Sequence, residues 1–314
     1  MRTCRVISSA SVYLLQLGLA VGVVAAGSAW SAAHAQAWVG DQGSLDVSLD
    51  YNLAISNKVI RDGGQTDLPD AGTTTQEFTL GAEYVPLPKL AVGVALPFVL
   101  LKYTGNLTMY PHNGGGRYDD GLTHSTLTDF RAAARYQLLE EPIALSPHIG
   151  FSIPVANYET VGNSVAGRHL KALHFGLAVG KRLTDAMYAH ALYEFSLVER
   201  YDRTPETHIA GQNRSDAAVT VGYKMLDQKL DIHLDASGRV THGGWKFSEF
   251  DILTANELMY HDAILAENIV LAGGGVSYQI SDSFAANLGA RLFVWGKNTQ
   301  NASVVAAGVT WSAL

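Results

Sequence analysis

Asp231, His233 and Asp235 stand at i, i+2 and i+4 in the run KLDIHLDASGR, residues 229–239. Two carboxylates flanking an imidazole are the parts of an acid–base device, provided the segment is a strand, where alternate residues share a face. Neighbours on one strand face lie about 7 Å apart, close enough for a shared network. This is the sharpest titratable cluster in the chain. Nucleophilic chemistry is poorly supplied by comparison. His124 and Ser125 are adjacent, so on a strand they point to opposite faces, whereas a nucleophile and its base need hydrogen-bond reach. Of 11 histidines, no pair has the spacing H-x-x-x-H. His169 and His174, five apart, fall on opposite strand faces, and a zinc site needs three or four converging ligands. The single cysteine, Cys4, permits neither a disulfide nor a Cys-based metal or redox motif. No catalytic residue, metal or cofactor is expected.

The elements that position these residues have a period of two. In TDFRAAARYQLL (128–139) three alanines and two arginines have helical propensity. Yet Phe130, Ala132, Ala134 and Tyr136 alternate with Asp129, Arg131, Ala133 and Arg135, as on a strand with one apolar face. SLDVSLDYNLAIS (44–56) and QEFTLGAEY (76–84) alternate in the same way. Strands are predicted near 43–57, 73–86, 89–105, 124–139, 143–157, 168–184, 186–200, 213–226, 229–242, 264–281, 283–296 and 301–313. Many exceed the five or six residues usual in soluble sheets. Their connections alternate between two classes. PLPK (86–89), LLEEP (138–142), LTDA (183–186), LDQK (226–229) and ISDS (280–283) are tight. Residues 58–72, 106–123, 158–167, 201–212 and 243–263 are long and mostly polar, and GKNTQ (296–300) closes the series.

The N-terminus explains which solvent an apolar strand face meets. Arg2 and Arg5 precede the apolar run 12–27, and Ala33-His34-Ala35 offers an A-x-A cleavage site before Gln36. Residues 1–35 read as a signal peptide and residues 36–314 as a single exported domain. Removing two arginines takes the formal charge from −7 to −9, which argues against nucleic acid as a partner. The longest later apolar run, 90–101, is too short for a spanning helix, which needs about 20 residues. Strands cross a bilayer only as a closed barrel, because every backbone N–H and C=O must then be paired internally. The expectation is an all-β, antiparallel up-and-down transmembrane barrel of about 12 strands in the outer membrane of a Gram-negative cell. Both termini would lie on the short-turn, periplasmic side. A soluble periplasmic β-sandwich is the alternative, with shorter strands and no two-class loops.

The run 127–162, LTDFRAAARYQLLEEPIALSPHIGFSIPVANYETVG, resembles the exported proteins named after the meta-pathway of phenol degradation. Asp129, Arg135, Tyr136, Gly150 and Pro154 match that family's strand–turn–strand pattern, and 173–195 resembles its next hairpin. The likeness spans about residues 124–240 and departs at PVA (154–156), where the family has Pro-Thr-Gly. It implies an outer-membrane barrel that passes small, often aromatic or otherwise hydrophobic molecules. The last strand alternates as such barrels do but ends in Leu314 where Phe is usual, which weakens the signal read by the barrel-assembly machinery.

Strand parity gives the interior candidates: Glu77, Glu83, Asp129, Arg131, Arg135, His148, His174, Arg182, His190, Glu194, Asp216, Lys224, Asp231, His233, Asp235, Arg239, Asn287 and Arg291. Both signs are present, as for ion pairs that brace a barrel and narrow its bore, unlike a ring of one sign that selects ions. The expected function is passive diffusion of small solutes through a narrow charged lumen by a monomer in the lipid bilayer. An outer-membrane enzyme is the alternative. Phospholipase barrels use an H-x-S-N-G type segment, and PHNGGG (111–116), THSTL (123–127) and GQNRSD (211–216) lack it. Barrel aspartyl proteases work at the outer rim, whereas Asp231 follows a tight turn. A sealed structural barrel is the other alternative. Only a few residues precede the first strand, which leaves no room for a folded plug. The apolar loop 243–261 is expected either to extend its strands and pack on the rim or to fold inward as a constriction.

Overall fold

The computed structural model describes residues 37–66, 72–103, 120–160, 164–200, 212–246 and 264–313. Sixteen strands are present: β1 (Leu45–Ser56), β2 (Val59–Arg61), β3 (Gly64–Thr66), β4 (Thr73–Leu87), β5 (Leu90–Tyr103), β6 (Thr123–Leu127), β7 (Asp129–Tyr136), β8 (Ala144–Pro154), β9 (Ala172–Arg182), β10 (Met187–Val198), β11 (Asn213–Met225), β12 (Leu230–His242), β13 (Asn268–Ser281), β14 (Phe284–Lys297), β15 (Thr299–Gln300) and β16 (Ser303–Ala313). Each wall strand pairs antiparallel with its neighbour in sequence. The ring closes where β1 pairs with β16, from Leu45↔Ala313 to Ile55↔Ser303. Both β6 and β7 pair with β5, so they are one wall strand interrupted at Thr128, and the barrel has twelve strands.

The expected strands agree with the wall to within a few residues, with differences at the ends. The 124–139 strand is broken and stops at Tyr136, 168–184 shortens to β9, and 264–281 starts only at Asn268. The loop sequences before β9 and β13 fold into the interior rather than lengthening the wall. A separate three-stranded sheet, β15-β2-β3, stands at the long-loop end, where only loops were expected.

Alternation decides which side chains face out. On β12, Asp231, His233, Asp235, Ser237, Arg239 and Thr241 are buried, whereas Leu234 is 72 % exposed and Ile232 and Val240 are also exposed. The same pattern holds on β7, where Asp129, Arg131 and Arg135 are buried and Tyr136 is exposed. Charge therefore faces the enclosed side and hydrocarbon faces out, the reverse of a soluble fold. One row of exposed aromatics, Tyr84, Tyr136, Tyr223, Tyr278, Phe284 and Trp311, stands at the short-turn end, while others such as Phe151, Tyr193 and Trp295 lie further along the wall. Rings with an apolar body and a polar edge favour a membrane interface, and their alignment marks one boundary of the apolar belt. The fold is a closed, twelve-stranded antiparallel β-barrel with an apolar outer face.

Candidate functional site

The enclosed face is the candidate site. Of the residues that parity assigns to it, Glu77, Glu83, Asp129, Arg131, Arg135, His148, His174, Glu194, Asp231, His233, Asp235, Arg239 and Arg291 are buried. His190, Asp216, Lys224 and Asn287 are half-buried, and Arg182 is exposed at the end of β9. These side chains fall into three groups along the barrel axis.

The first group lies at the short-turn end. Arg135 of β7 donates to both oxygens of Glu83 of β4, at 2.9 and 3.2 Å. The Asp231–His233–Asp235 row is here, as the tight turn 226–229 requires. The His233 ring nitrogens lie 3.4 Å from Asp231 and 3.9 Å from Asp235. Each carboxylate has a stronger partner elsewhere. The Tyr188 hydroxyl donates to Asp231 at 3.0 Å, and Arg291 donates to Asp235. Asp235 and Arg291 also line a small cavity with Asn287, Gly274 and Gly289. Among the described residues the His233 ring nitrogens have no hydrogen-bond partner, and the stronger bonds of the two carboxylates tie the row to strands two places along the wall.

The chain's own N-terminal residues share this end. Ala37 is fully buried and Trp38 is 9 % exposed, packed with Ala144, Ala178 and Tyr188. The Trp38 and Tyr188 rings meet edge to face at 6.4 Å. Ser146 donates to the Ala37 carbonyl at 2.6 Å, and the Val39 N–H donates to the Gln137 side chain at 2.8 Å. Two glycines make room. A Cβ on Gly180 would come within 2.6 Å of the Trp38 ring, and one on Gly222 within 2.2 Å of the Tyr188 ring. Residues 37–39 form a strap without regular structure inside the mouth, which aromatic burial makes favourable.

The second group sits at mid-barrel. Glu194 of β10 is shared by His148 of β8 at 3.0 Å and His174 of β9 at 3.2 Å. Ser196 and Ser152 hold the other polar contacts of the His174 ring, at 2.9 and 3.1 Å. One carboxylate and two imidazoles would make a poor metal site when serine hydroxyls already occupy the ring nitrogens. No set of three or more metal-ligating side chains exists among the described residues.

The third group fills the long-loop end. The described residues of 158–167, expected to be a polar external loop, and residues 168–170, expected to begin a strand, turn inward. Tyr158, Val165, Ala166, Arg168 and Leu170 are buried, and Tyr158 and Ala166 pack on Val99 and Leu101. The Tyr158 hydroxyl donates to Asp129 and accepts from the His169 N–H. Trp245 of the 243–261 loop is 1 % exposed and bridges to Leu265 beside Ile264. It folds inward and does not decorate the rim. The other aromatic positions of that loop, such as Phe247, lie outside the described residues. Arg239 donates to Asp216 at 2.7 Å and lies 3.7 Å from Glu267, which also accepts from Thr299. Burial pushes the Glu267 carboxyl above its ordinary range, against the opposing pull of Arg239 and Arg168.

Several interior residues escaped the sequence reading. Arg214 lies two positions before Asp216 on the same strand face, so parity alone would have found it. Tyr188 shares the face of His190 and Glu194 but has the composition of an outward aromatic. Arg168, Glu267 and Trp38 sit outside strands, where no periodicity signals direction.

With this geometry in place, the fold has counterparts. The structure matches an outer membrane channel from Pseudomonas putida F1 with a TM-score of 0.69 at 12% identity, covering 88% of this chain and 97% of that one. It matches the translocator domain of the autotransporter NalP from Neisseria meningitidis with a TM-score of 0.51 at 9% identity, covering 87% of this chain and 89% of that one. No family model and no curated protein matches the chain. At these identities the likeness shows an outer-membrane barrel fold.

Proposed function

We propose that the barrel is a passive channel for small, hydrophobic or aromatic solutes, which cross through a narrow charged interior. The observation that carries this reading is the inversion of the wall: ionisable side chains occupy its enclosed face across the full height, from Glu83 and Arg135 to Arg239 and Glu267. A twelve-stranded barrel lies between the side-chain-filled barrels of eight strands and the open channels of sixteen, a size for small solutes but not for a general porin path. Apolar groups stand at both mouths, Trp38 and Tyr188 at one and Trp245 and Leu265 at the other, where a hydrophobic solute would be received. The fold shared with an outer membrane channel and the motif likeness of residues 124–240 support the same reading. The chain would act as a monomer, inserted by the barrel-assembly machinery.

Single-channel recording of the refolded residues 36–314 in a planar bilayer tests this, with small aromatic and aliphatic solutes added in turn. Discrete steps blocked by one solute class are expected. A folded, heat-modifiable barrel without conductance, even after Trp38 is replaced, would overturn it. A second reading has its own observation: the Trp38 strap narrows the short-turn mouth, as in a barrel that is closed at rest. Wild type without steps and Trp38→Ala with steps would identify that case.

A further inference from the structure

Arg214 differs from Arg131 in the sign of the charges around it, since those acting most strongly on Arg131 are mostly carboxylates. Its side chain is 95 % buried on the enclosed face of β11, yet its Nε and Nη1 atoms have no hydrogen-bond partner. The charges that act on it most strongly are Arg239, Arg168, Asp216 and Arg131, three of the four of its own sign. The carboxylates of Glu267 and Asp129 also feel its charge. Asp216 is taken up by the 2.7 Å bond from Arg239. Arg168 points its guanidinium at Gln212 and at the carbonyl of Leu265, at 2.9 and 3.2 Å, and these are neutral acceptors. Three strands and an inward loop thus bring four guanidinium groups toward one region of the interior.

A buried guanidinium is costly without acceptors, and its planar fork matches the two oxygens of a carboxylate or a phosphate. Among the described residues no such group bonds the Nε and Nη1 of Arg214. We propose that a bound oxyanion does: the long-loop half of the interior holds a binding site for a small organic carboxylate, with Arg214 as the principal ligand and Arg131, Arg168 and Arg239 providing a positive surround. This rests on the channel reading and narrows its solute class. A solute with a hydrophobic body would carry an acidic head, which Arg214 receives while the body lies toward Leu265 and Trp245.

The test has a binding arm and a transport arm, so that the two ideas fail separately. Refolded residues 36–314 in detergent micelles are titrated calorimetrically with benzoate, butyrate, inorganic phosphate and neutral benzyl alcohol at low ionic strength. Saturable binding of benzoate or butyrate is expected. It should fall by tenfold or more in Arg214→Gln and be partly retained in Arg214→Lys, which keeps the charge but loses the fork. Heat-modifiable migration confirms that each variant is folded, and Lys171→Gln, at an exposed pair, serves as a control. In bilayers the same carboxylates should block the conductance of wild type and not that of Arg214→Gln. Carboxylate binding without any conductance would keep the site and overturn the channel. Conductance without carboxylate binding would overturn the site, with water satisfying Arg214. Phosphate binding alone would replace the carboxylate by an inorganic oxyanion and overturn the organic solute. Equal affinity for benzyl alcohol and benzoate would also overturn the proposal.

Discussion

The two ends of the interior are closed in different ways. At the short-turn end, a strap of the chain's own residues lays Trp38 against Tyr188, and beneath it Glu83, Asp231 and Asp235 each have a donor from a strand two places along the wall. At the long-loop end, an inward loop brings Arg168 beside the wall arginines, and Nε and Nη1 of Arg214 have no acceptor among the described residues. The first end is apolar contact over a network whose carboxylates are each bonded, although both His233 ring nitrogens lack a partner there. The second is a cluster of arginines around Arg214, whose Nε and Nη1 lack one. Incompletely bonded polar groups thus stand at both ends. What separates the ends is the apolar strap at one and the gathering of guanidinium groups at the other, which assigns closure to the first and recognition to the second.

The largest expected effect tests that division at the strap. Trp38 is anchored by contacts with wall side chains and by two hydrogen bonds of its own segment, and none of these belongs to the β-ladder. Trp38→Ala should therefore raise single-channel conductance severalfold while leaving the urea midpoint of unfolding nearly unchanged. An unchanged conductance would mean that the strap does not obstruct the mouth. A large fall in stability would mean that it braces the wall.

Next comes the network beneath it. Arg135→Ala leaves Glu83 buried without its donor and should cost about 3 kcal/mol, read from urea unfolding of the barrel in vesicles. The double variant Arg135→Ala, Glu83→Gln should recover most of that loss, since no charge then remains unpaired. A single variant as stable as the double would show that Glu83 is hydrated and that this end is wetter than its contacts imply.

The outward face provides the contrast with both. Leu234 is 72 % exposed and adjoins the buried Asp235. Leu234→Arg should cost about 2 kcal/mol in vesicles, the depth-dependent penalty of an arginine on the lipid face, and should leave conductance unchanged. Altered ion selectivity in this variant would place the residue inside and reverse the parity of β12.

Parity is also what made the wall legible in the sequence. Asp129, Arg131 and Arg135 alternate with apolar neighbours, and a period of two has only one structural meaning once the apolar face must meet lipid. The tight turns set the strand ends, so β12 is placed within a residue of expectation. The content of the interior was less legible for two reasons. Lumen partners such as Glu194 and His148 lie 46 positions apart in sequence, and neither residue's neighbours encode the pairing. The strap and the inward loops carry no periodicity, so nothing local distinguishes the external loop expected at 158–167 from the packed one observed. Trp245 shows the limit. Its composition announced apolar contact, and only the bridge to Leu265 gives the direction.

The smallest effect belongs to the solvent-exposed rim. Asp120 accepts from His124 at 2.9 Å and from the Leu122 N–H at 2.8 Å. These bonds, the His124 contact first, hold its carboxyl below the ordinary value of 3.8. A carboxyl depressed in the folded state favours the folded arrangement above its ordinary value and loses that contribution as pH falls through the depressed value. The Leu122 amide resonance in micelles should therefore titrate with a midpoint below 3.8 and should stop titrating there in Asp120→Asn. Because the group is fully exposed, global stability should not register the change. A midpoint at or above 3.8 would show that the contact with His124 does not persist in solution. Such a contact belongs to neither end of the interior, so its loss should leave both the strap and the arginine cluster untouched.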